Sequence, residues 1–236
     1  ELNKDKQEAK FTFFIDPGRR VYVRRINVTG NTKTRDEVVR REMRQMEGAW
    51  YAADKVTRSR ERIDRLGYFS DVNVETPAVA GTTDQVDMNV SVTEKPTGSI
   101  MAGAGFSSSE GFILSGSISQ ANVFGSGNFL STQFNSGKIN TVYSLSYTNP
   151  YYTDDGISRG FDIYERKVNS SSLSVSRYDS DSVGGGVRFG VPLNEIDTVN
   201  FGLSAERTKL TVYDTTPQRY LDYVRDFGSS NTTLRG

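Results

Sequence analysis

From about residue 97 onward the chain alternates between apolar and polar positions. Phe112, Leu114 and Ile118 fall on one side of an extended segment, while Ser115, Ser117 and Ser119 fall on the other. Successive side chains of a strand point to opposite faces, so this is strand periodicity. Leu130, Thr132 and Phe134 oppose Ser131, Gln133 and Asn135; Tyr143, Leu145 and Tyr147 oppose Ser144, Ser146 and Thr148. Further on, Val187, Phe189 and Val191 oppose Arg188 and Gly190. Val199, Phe201, Leu203 and Ala205 oppose Asn200, Gly202, Ser204 and Glu206. With 99–106 and 159–167 added, the pattern predicts seven strands, most of them about 9–11 residues long, which is the length of a tilted strand crossing a bilayer. A soluble β-sandwich alternates too. Here, however, the polar face carries Ser, Asn, Thr and Gly rather than Lys and Glu, which favours a wet lumen behind an apolar, lipid-facing wall. The turns at 122–128, 149–156 and 192–198 then share one side with the N-terminal half, and connections at 107–111, 135–141 and 169–181 share the other. The expectation is short turns on the near side and lengthening loops on the far side. Tyr151 and Tyr152 read equally as interfacial aromatics or as turn packing. The stretch 218–236 reads as loop with one helical turn at 220–224.

The first half has mixed periodicity. Val21-Tyr22-Val23-Arg24-Arg25-Ile26-Asn27-Val28 reads as a strand ended by Gly30-Asn31. Thr34 and Glu37 have capping-box spacing, and Val39, Met43 and Met46 repeat helically up to Gly48. A second helix from about Asp54 to Gly67 buries Val56, Ile63 and Leu66 and turns Arg58, Arg60, Glu61, Arg62, Asp64 and Arg65 to water. Strands at 69–75 and 85–92 follow. The order β-α-α-β-β makes a small α+β unit, one sheet covered by two helices. Before it, Phe11-Thr12-Phe13-Phe14-Ile15 reads as a strand stopped by Pro17-Gly18, with no partner inside that unit. It is expected to be the tail of a preceding copy.

Composition divides at the same place. Residues 1–96 hold 18 Lys+Arg and 16 Asp+Glu with 5 glycines; residues 97–236 hold 11 and 13 with 17 glycines, so two folding units under different solvents share one chain. The overall balance of 29 cations and 29 anions leaves no electrostatic case for nucleic acid as partner. Histidine and cysteine are absent, which excludes zinc or haem on the usual ligands, His-dependent nucleophiles and disulfides; no metal or cofactor and no enzyme activity is expected. Asp179 and Asp181 in a Ser-rich loop read as loop rather than a calcium site. Ala102-Gly103-Ala104-Gly105 is no dinucleotide loop, since the third glycine position is Ser108. No stretch approaches the roughly 18 apolar residues of a membrane helix. The polar start, Glu1 to Lys6, lacks the apolar core of a secretory signal, which is expected to have been removed. Seven strands cannot close a barrel in lipid, so more strands are expected beyond this chain.

Asp16-Pro17-Gly18-Arg19-Arg20-Val21-Tyr22-Val23-Arg24, the run Arg40-Arg41-Glu42-Met43-Arg44-Gln45-Met46-Glu47-Gly48-Ala49-Trp50, then Arg65-Leu66-Gly67-Tyr68-Phe69 and Asp84-Gln85-Val86-Asp87 together resemble the Omp85 family. Asn149-Pro150-Tyr151-Tyr152 and Gly190-Val191-Pro192-Leu193-Asn194-Glu195 resemble its near-side barrel turns. The resemblance implies an α+β POTRA domain followed by part of an antiparallel transmembrane β-barrel, about seven strands of an expected sixteen. Residues 1–18 would then be the last strand of a preceding POTRA domain, 19–96 the final, fifth POTRA domain, and 97–236 the N-terminal portion of the barrel. It implies a protein of the Gram-negative outer membrane, its POTRA domain in the periplasm, that folds and inserts other barrel proteins without covalent catalysis. The partners it implies are the lipoproteins of the barrel-assembly machinery, unfolded outer-membrane protein substrates and outer-membrane lipid. Its lipoprotein-contacting positions fall on Arg40 and Glu47, read as an exposed pair two helical turns apart. The first barrel strand, with Gly98, Ile100, Ala102, Gly103, Ala104, Gly105 and Phe106, corresponds to its lateral gate. Independently, Gly103 and Gly105 weaken pairing there, and an exposed strand edge accepts an added strand. The alternative is a secretion translocator or pore of the same architecture.

Overall fold

The computed structural model describes residues 2–3, 8–9, 11–13, 19–170 and 177–236. At its start, β1 (Leu2–Asn3) and β2 (Glu8–Ala9) form a short antiparallel pair. Of the strand expected at 11–15, Phe11 to Phe13 lie outside any strand, and the rest falls outside the described residues.

The soluble unit has the predicted order: β3 (Tyr22–Thr29), α1 (Asp36–Arg40), α2 (Ala53–Arg65), β4 (Phe69–Glu75) and β5 (Gln85–Glu94). Its sheet runs β3-β5-β4, with β3 parallel and β4 antiparallel to β5. The parallel pair requires a crossover, which the two helices provide. Met88, Val90 and Val92 on alternate positions of β5 meet Val23 and Ile26 of β3, Val38 and Val39 of α1, Ile63 of α2 and Phe69 and Val72 of β4 in one core.

The first helix departs from its sequence pattern. It ends at Arg40, and no side chain caps it. The Thr34 amide donates instead to Glu94, sixty residues on, at 2.6 Å, so the capping box does not form. Beyond Arg40 the buried polar residues Gln45 and Ser59 shape the chain. Gln45 Nε2 donates to the Trp50 carbonyl at 3.0 Å, its Oε1 accepts from the Ala52 amide at 3.0 Å, and Ser59 Oγ accepts from the Arg44 amide at 2.8 Å. These bonds replace the helical ladder, leaving Met46 exposed. Arg62, expected in water, is mostly buried.

The second half is one antiparallel sheet in chain order: β6 (Gly98–Ser107), β7 (Gly111–Gln120), β8 (Phe129–Ser136), β9 (Asn140–Asn149), β10 (Ser158–Asn169), β11 (Tyr178–Pro192), β12 (Thr198–Val212) and β13 (Ser230–Arg235). There are eight strands rather than seven. The tail read as loop folds into α3 (Gln218–Phe227) and β13, whose largely polar sequence carries no alternation and which pairs only with Ser204–Lys209 of β12. β11 and β12 run longer than predicted, so Asp179 and Asp181 lie in β11 and not in a loop.

Register carries the alternation across the whole sheet. One row reads Ile100, Ile118, Thr132, Leu145, Ile163, Gly185, Ala205, Leu234; its neighbour reads Ser99, Ser119, Ser131, Ser146, Asp162, Gly186, Ser204, Arg235. The first row belongs to an apolar face, the second to a polar one, as a membrane wall with a wet lumen requires. On the polar face Arg188 pairs with Asp162 at 2.6 Å, and the Tyr164 hydroxyl donates to Glu206 at 2.5 Å across Gly184. A Cβ at position 184 would lie 2.6 Å from the Tyr164 ring, so only glycine lets that tyrosine cross the strand. The loop asymmetry holds in part: the far-side connections lengthen along the chain from 108–110 and 137–139 to 170–177 and 213–229, but the first two are shorter than the near-side turns at 121–128 and 150–157.

Among the described residues β6 and β13 each have a single neighbour, so this stretch of sheet has two open edges. Lipid leaves such edges unsatisfied. Expressed alone in detergent, residues 1–236 will give no closed barrel, seen as the absence of a heat-modifiable, protease-resistant monomer on a gel.

Candidate functional site: an open strand edge above a docked domain

The near-side turns are enlarged because they hold the soluble domain. Glu94, at the end of β5, accepts from Thr32 Oγ1 at 2.9 Å and from the amides of Lys33 and Thr34. Burial pushes its carboxyl up, but the hydrogen bonds from Thr34, Thr32 and Lys33 outweigh that and hold it below the ordinary Glu value of 4.5. With the 32–34 loop so fixed, the buried Thr34 hydroxyl accepts from Asn122 Nδ2 at 2.7 Å, and the Arg35 amide donates to the Gly125 carbonyl at 2.9 Å. The Tyr68 hydroxyl donates to the Gly127 carbonyl at 3.1 Å, and burial pushes its pKa up. This first turn is strained: Asn122 and Phe124 adopt left-handed backbone, at φ 57° and 50°. At Gly125, φ is 71° and a Cβ would lie 1.9 Å from the Lys33 carbonyl oxygen, so no other residue fits.

The second turn inserts Tyr151 between two arginines. The Arg41 guanidinium lies 4.3 Å from the ring centroid, and Arg62 Nη2 donates to the hydroxyl at 3.1 Å while pairing with Glu42 at 2.7 Å. The Glu42 side chain is 5% accessible. Arg41 Nε and Nη2 are buried without a hydrogen-bond partner among the described residues, leaving the ring face as the contact for that cation. Burial pushes the Tyr151 hydroxyl up. Tyr151 is therefore turn packing and not an interfacial aromatic, and Arg159 stacks at 3.7 Å over Tyr152. At the third turn Arg44 Nε meets Glu195 at 2.9 Å, and that hydrogen bond holds the Glu195 carboxyl below its usual range. One segment, 34–44, thus touches three successive turns.

β6 leaves this junction directly. Only Lys95, Pro96 and Thr97 separate it from β5, a reach of roughly 10 Å. Lys95 N donates to the Tyr68 carbonyl at 3.0 Å, and Thr97 bonds Ala121 in both directions. β6 pairs with β7 along its whole length, from Gly98 opposite Gln120 to Ser107 opposite Gly111. Its other edge is unpaired among the described residues. Gly98, Ile100, Ala102, Ala104 and Phe106 share the apolar face, where Ile100 is 80% and Phe106 81% exposed; Gly103 and Gly105 share the polar face. A Cβ at Gly103 would lie 3.0 Å from Ser115 Oγ, whereas Gly105 faces open space.

Arg40 and Glu47 do meet, at 3.6 Å, but not as a pair along one helix, since α1 ends at Arg40. Both close on β3: Arg40 Nη2 donates to the Ile26 carbonyl at 2.9 Å, and Glu47 accepts from the Ile26 amide at 2.7 Å. Arg40 also pairs with Asp36. The 40–50 block therefore divides, with Arg41, Glu42 and Arg44 turned to the barrel. Sequence reasoning assigned no junction role to Thr34, Arg41, Glu42, Arg44, Arg62, Tyr68, Glu94, Asn122, Gly125 and Glu195, and left turn packing as one of two readings for Tyr151. The available signal was the Asn122–Gly127 turn, an asparagine followed by two spaced glycines between two predicted strands.

Residues 21–95 match the family described as surface antigen variable number repeat, the POTRA domain, and residues 122–235 match the Omp85 superfamily domain. The chain is 42% identical over 98% of its length to the outer membrane protein assembly factor BamA of Neisseria meningitidis serogroup B, and 38% identical over 84% to that of Nitratidesulfovibrio vulgaris. It spans 29% and 24% of those relatives. It also superposes on the crystal structure of Haemophilus ducreyi BamA lacking POTRA domains 1-3, at 32% identity and a TM-score of 0.77, over 100% of this chain and 46% of that one.

Two outcomes follow from the junction. Gly125→Ala will push the first turn off the 33–35 loop, and hydrogen exchange at Arg35 and Gly127 will rise while the core amides of β5 stay protected. The lowered Glu94 carboxyl stabilises the junction fully above 4.5 and loses that contribution as pH falls through its folded value. In thermal unfolding between about pH 5 and pH 3, Glu94→Gln will flatten part of the pH dependence.

Proposed function

The chain belongs to the BamA proteins of the Omp85 superfamily, and from that premise we propose that it is part of an outer-membrane assembly factor that folds and inserts other β-barrel proteins. Its POTRA domain (residues 19–96, corresponding to the fifth) lies in the periplasm of a Gram-negative cell, with 1–18 ending the POTRA domain before it and 97–236 opening the barrel. The reaction is strand addition. An edge strand of ten residues offers roughly ten backbone donors and acceptors to one side, and in lipid each unmatched group costs several kcal/mol. An incoming strand that pairs with β6 removes that cost from both chains at once, which is a driving force needing neither cofactor nor covalent intermediate.

The observation that carries this reading is the placing of β6, Gly98–Ser107, which is held at its start by the docked domain and whose second edge has no partner among the described residues. Ile100, Ala102, Ala104 and Phe106 present an apolar face to lipid beside that edge, and Gly103 and Gly105 keep it weak enough to release what it has bound. At the domain's other surface, Arg40 and Glu47 form the docking patch for lipoprotein partners. Both stay partly accessible while fixing Ile26, so a charged partner meets a preorganised pair.

In the intact protein, a cysteine at Ala102 will cross-link to a substrate's terminal strand during assembly. Failure at every β6 position, together with channel conductance and unimpaired barrel insertion when β6 is blocked, would favour passage through the lumen instead. Reversing charge at Arg40 or Glu47 will reduce lipoprotein co-purification several-fold; unchanged recovery for both removes the docking assignment.

A further inference from the structure

The two ends of β6 are held by different means. At the near end the linker and the first turn bind it to the soluble domain. At the far end the sheet itself gives little support. β7 pairs with β8 only from Leu114 opposite Ser136 to Gln120 opposite Leu130. Gly111, Phe112 and Ile113 therefore pair with Ser107, Phe106 and Gly105 of β6 and, among the described residues, with no strand on their other side. The tip of the β6–β7 hairpin extends past its neighbour.

One residue bridges the gap. Glu110, in the 108–110 connection, places its carboxylate under the next far-side loop. It accepts from the Ile139 amide at 3.0 Å, the Asn140 amide at 3.2 Å and Asn140 Nδ2 at 2.6 Å. Its carbonyl accepts from the Lys138 amide at 3.1 Å. Among the described residues, every hydrogen bond from the hairpin tip to the following loop is made by Glu110. The loop it grips is itself anchored. Ile139 is buried, unlike the large apolar residues of β6 to β13, and its carbonyl accepts from the Asn169 amide at 2.7 Å. The carboxylate is matched to this task, because an anion accepting several N–H groups makes stronger bonds than a neutral acceptor.

We propose that Glu110 is a positioning residue that clasps the far end of β6 to the barrel wall, keeping Gly105–Ser107 in line to receive an incoming strand. This rests on β6 being the pairing edge. Without the clasp the near end of β6 stays in place, and the far end loses its alignment with the wall. Strand addition then begins at Gly98 and fails to complete.

The experiment uses the full-length protein in its native membrane, with Glu110 intact or changed to Gln. The amide keeps the volume but presents an NH2 group to donors that need an acceptor. Cross-linking to substrate is read at Ile100 and at Phe106, and hydrogen exchange at 99–101 and 105–107. The expected result for Glu110→Gln is a far-end cross-link reduced several-fold and exchange at 105–107 about tenfold faster, with both near-end readouts unchanged. The unchanged near end also shows that the variant is folded. Equal loss at both ends, or no change at either, overturns the proposal. If the unaltered protein cross-links at neither position, the pairing reading fails and takes the substrate role of the clasp with it. The exchange at 105–107 then still decides the clasp itself.

Discussion

Backbone groups at a strand edge have no water to turn to inside a bilayer, and that constraint orders most of this chain. Every strand from β7 to β12 meets it by pairing on both sides, and β6 and β13 meet it on one. The side-chain pattern follows from the same solvent. A wall bathed by lipid on one face needs no apolar core, so Ile100, Phe106 and Leu203 are largely exposed while the buried aliphatic cluster belongs entirely to the soluble domain. The polar face is then free to carry Arg188–Asp162 and Tyr164–Glu206, contacts that would be costly on the other side. A mildly polar average composition is what such a division produces.

The soluble domain obeys ordinary rules of burial, and the junction joins the two regimes. Arg62 and Glu42 are buried together, and a pair so placed roughly offsets its own desolvation. Its contribution is directional. Tyr151 has to enter between Arg41 and Arg62, Asn122 has to meet Thr34, and Glu195 has to meet Arg44. Three turns spaced along the sheet and one segment of the domain satisfy all three conditions in a single orientation.

How much of this is legible in the sequence depends on how far apart the interacting residues lie. The period-two strands are legible because each carries both faces within ten residues, and Met88, Val90 and Val92 mark β5 for the same reason. β13 is not, since its six residues are mostly polar and its identity comes from β12. The capping box at Thr34 and Glu37 is a sound local signal overruled from a distance: Glu94 takes the Thr34 amide. Arg62 reads as a solvated helix charge until Tyr151 and Glu42 are brought against it. The edge of β6 lies between these cases. Its glycines are visible, but its terminal place among the described strands is read only from the sheet order.

An open edge is ordinarily a hazard, because it pairs with whatever strand arrives and in any register. A slip of one residue in the arriving strand would turn its lipid-facing side chains to the lumen and its lumen-facing ones to the lipid. Fixing one end of β6 does not prevent this, since a strand tethered at Gly98 is free to twist and fray beyond its last supported pair. Fixing both ends does. The first anchor is the domain, through Glu94, Thr97 and the Asn122 turn; the second is the rim that runs from Glu110 through Ile139 to Asn169. Between them the backbone has no partner on one side among the described residues, yet is set in a single register by β7 on the other. Under the proposed strand addition, that combination would distinguish an edge that accepts one strand in one alignment from an edge that aggregates.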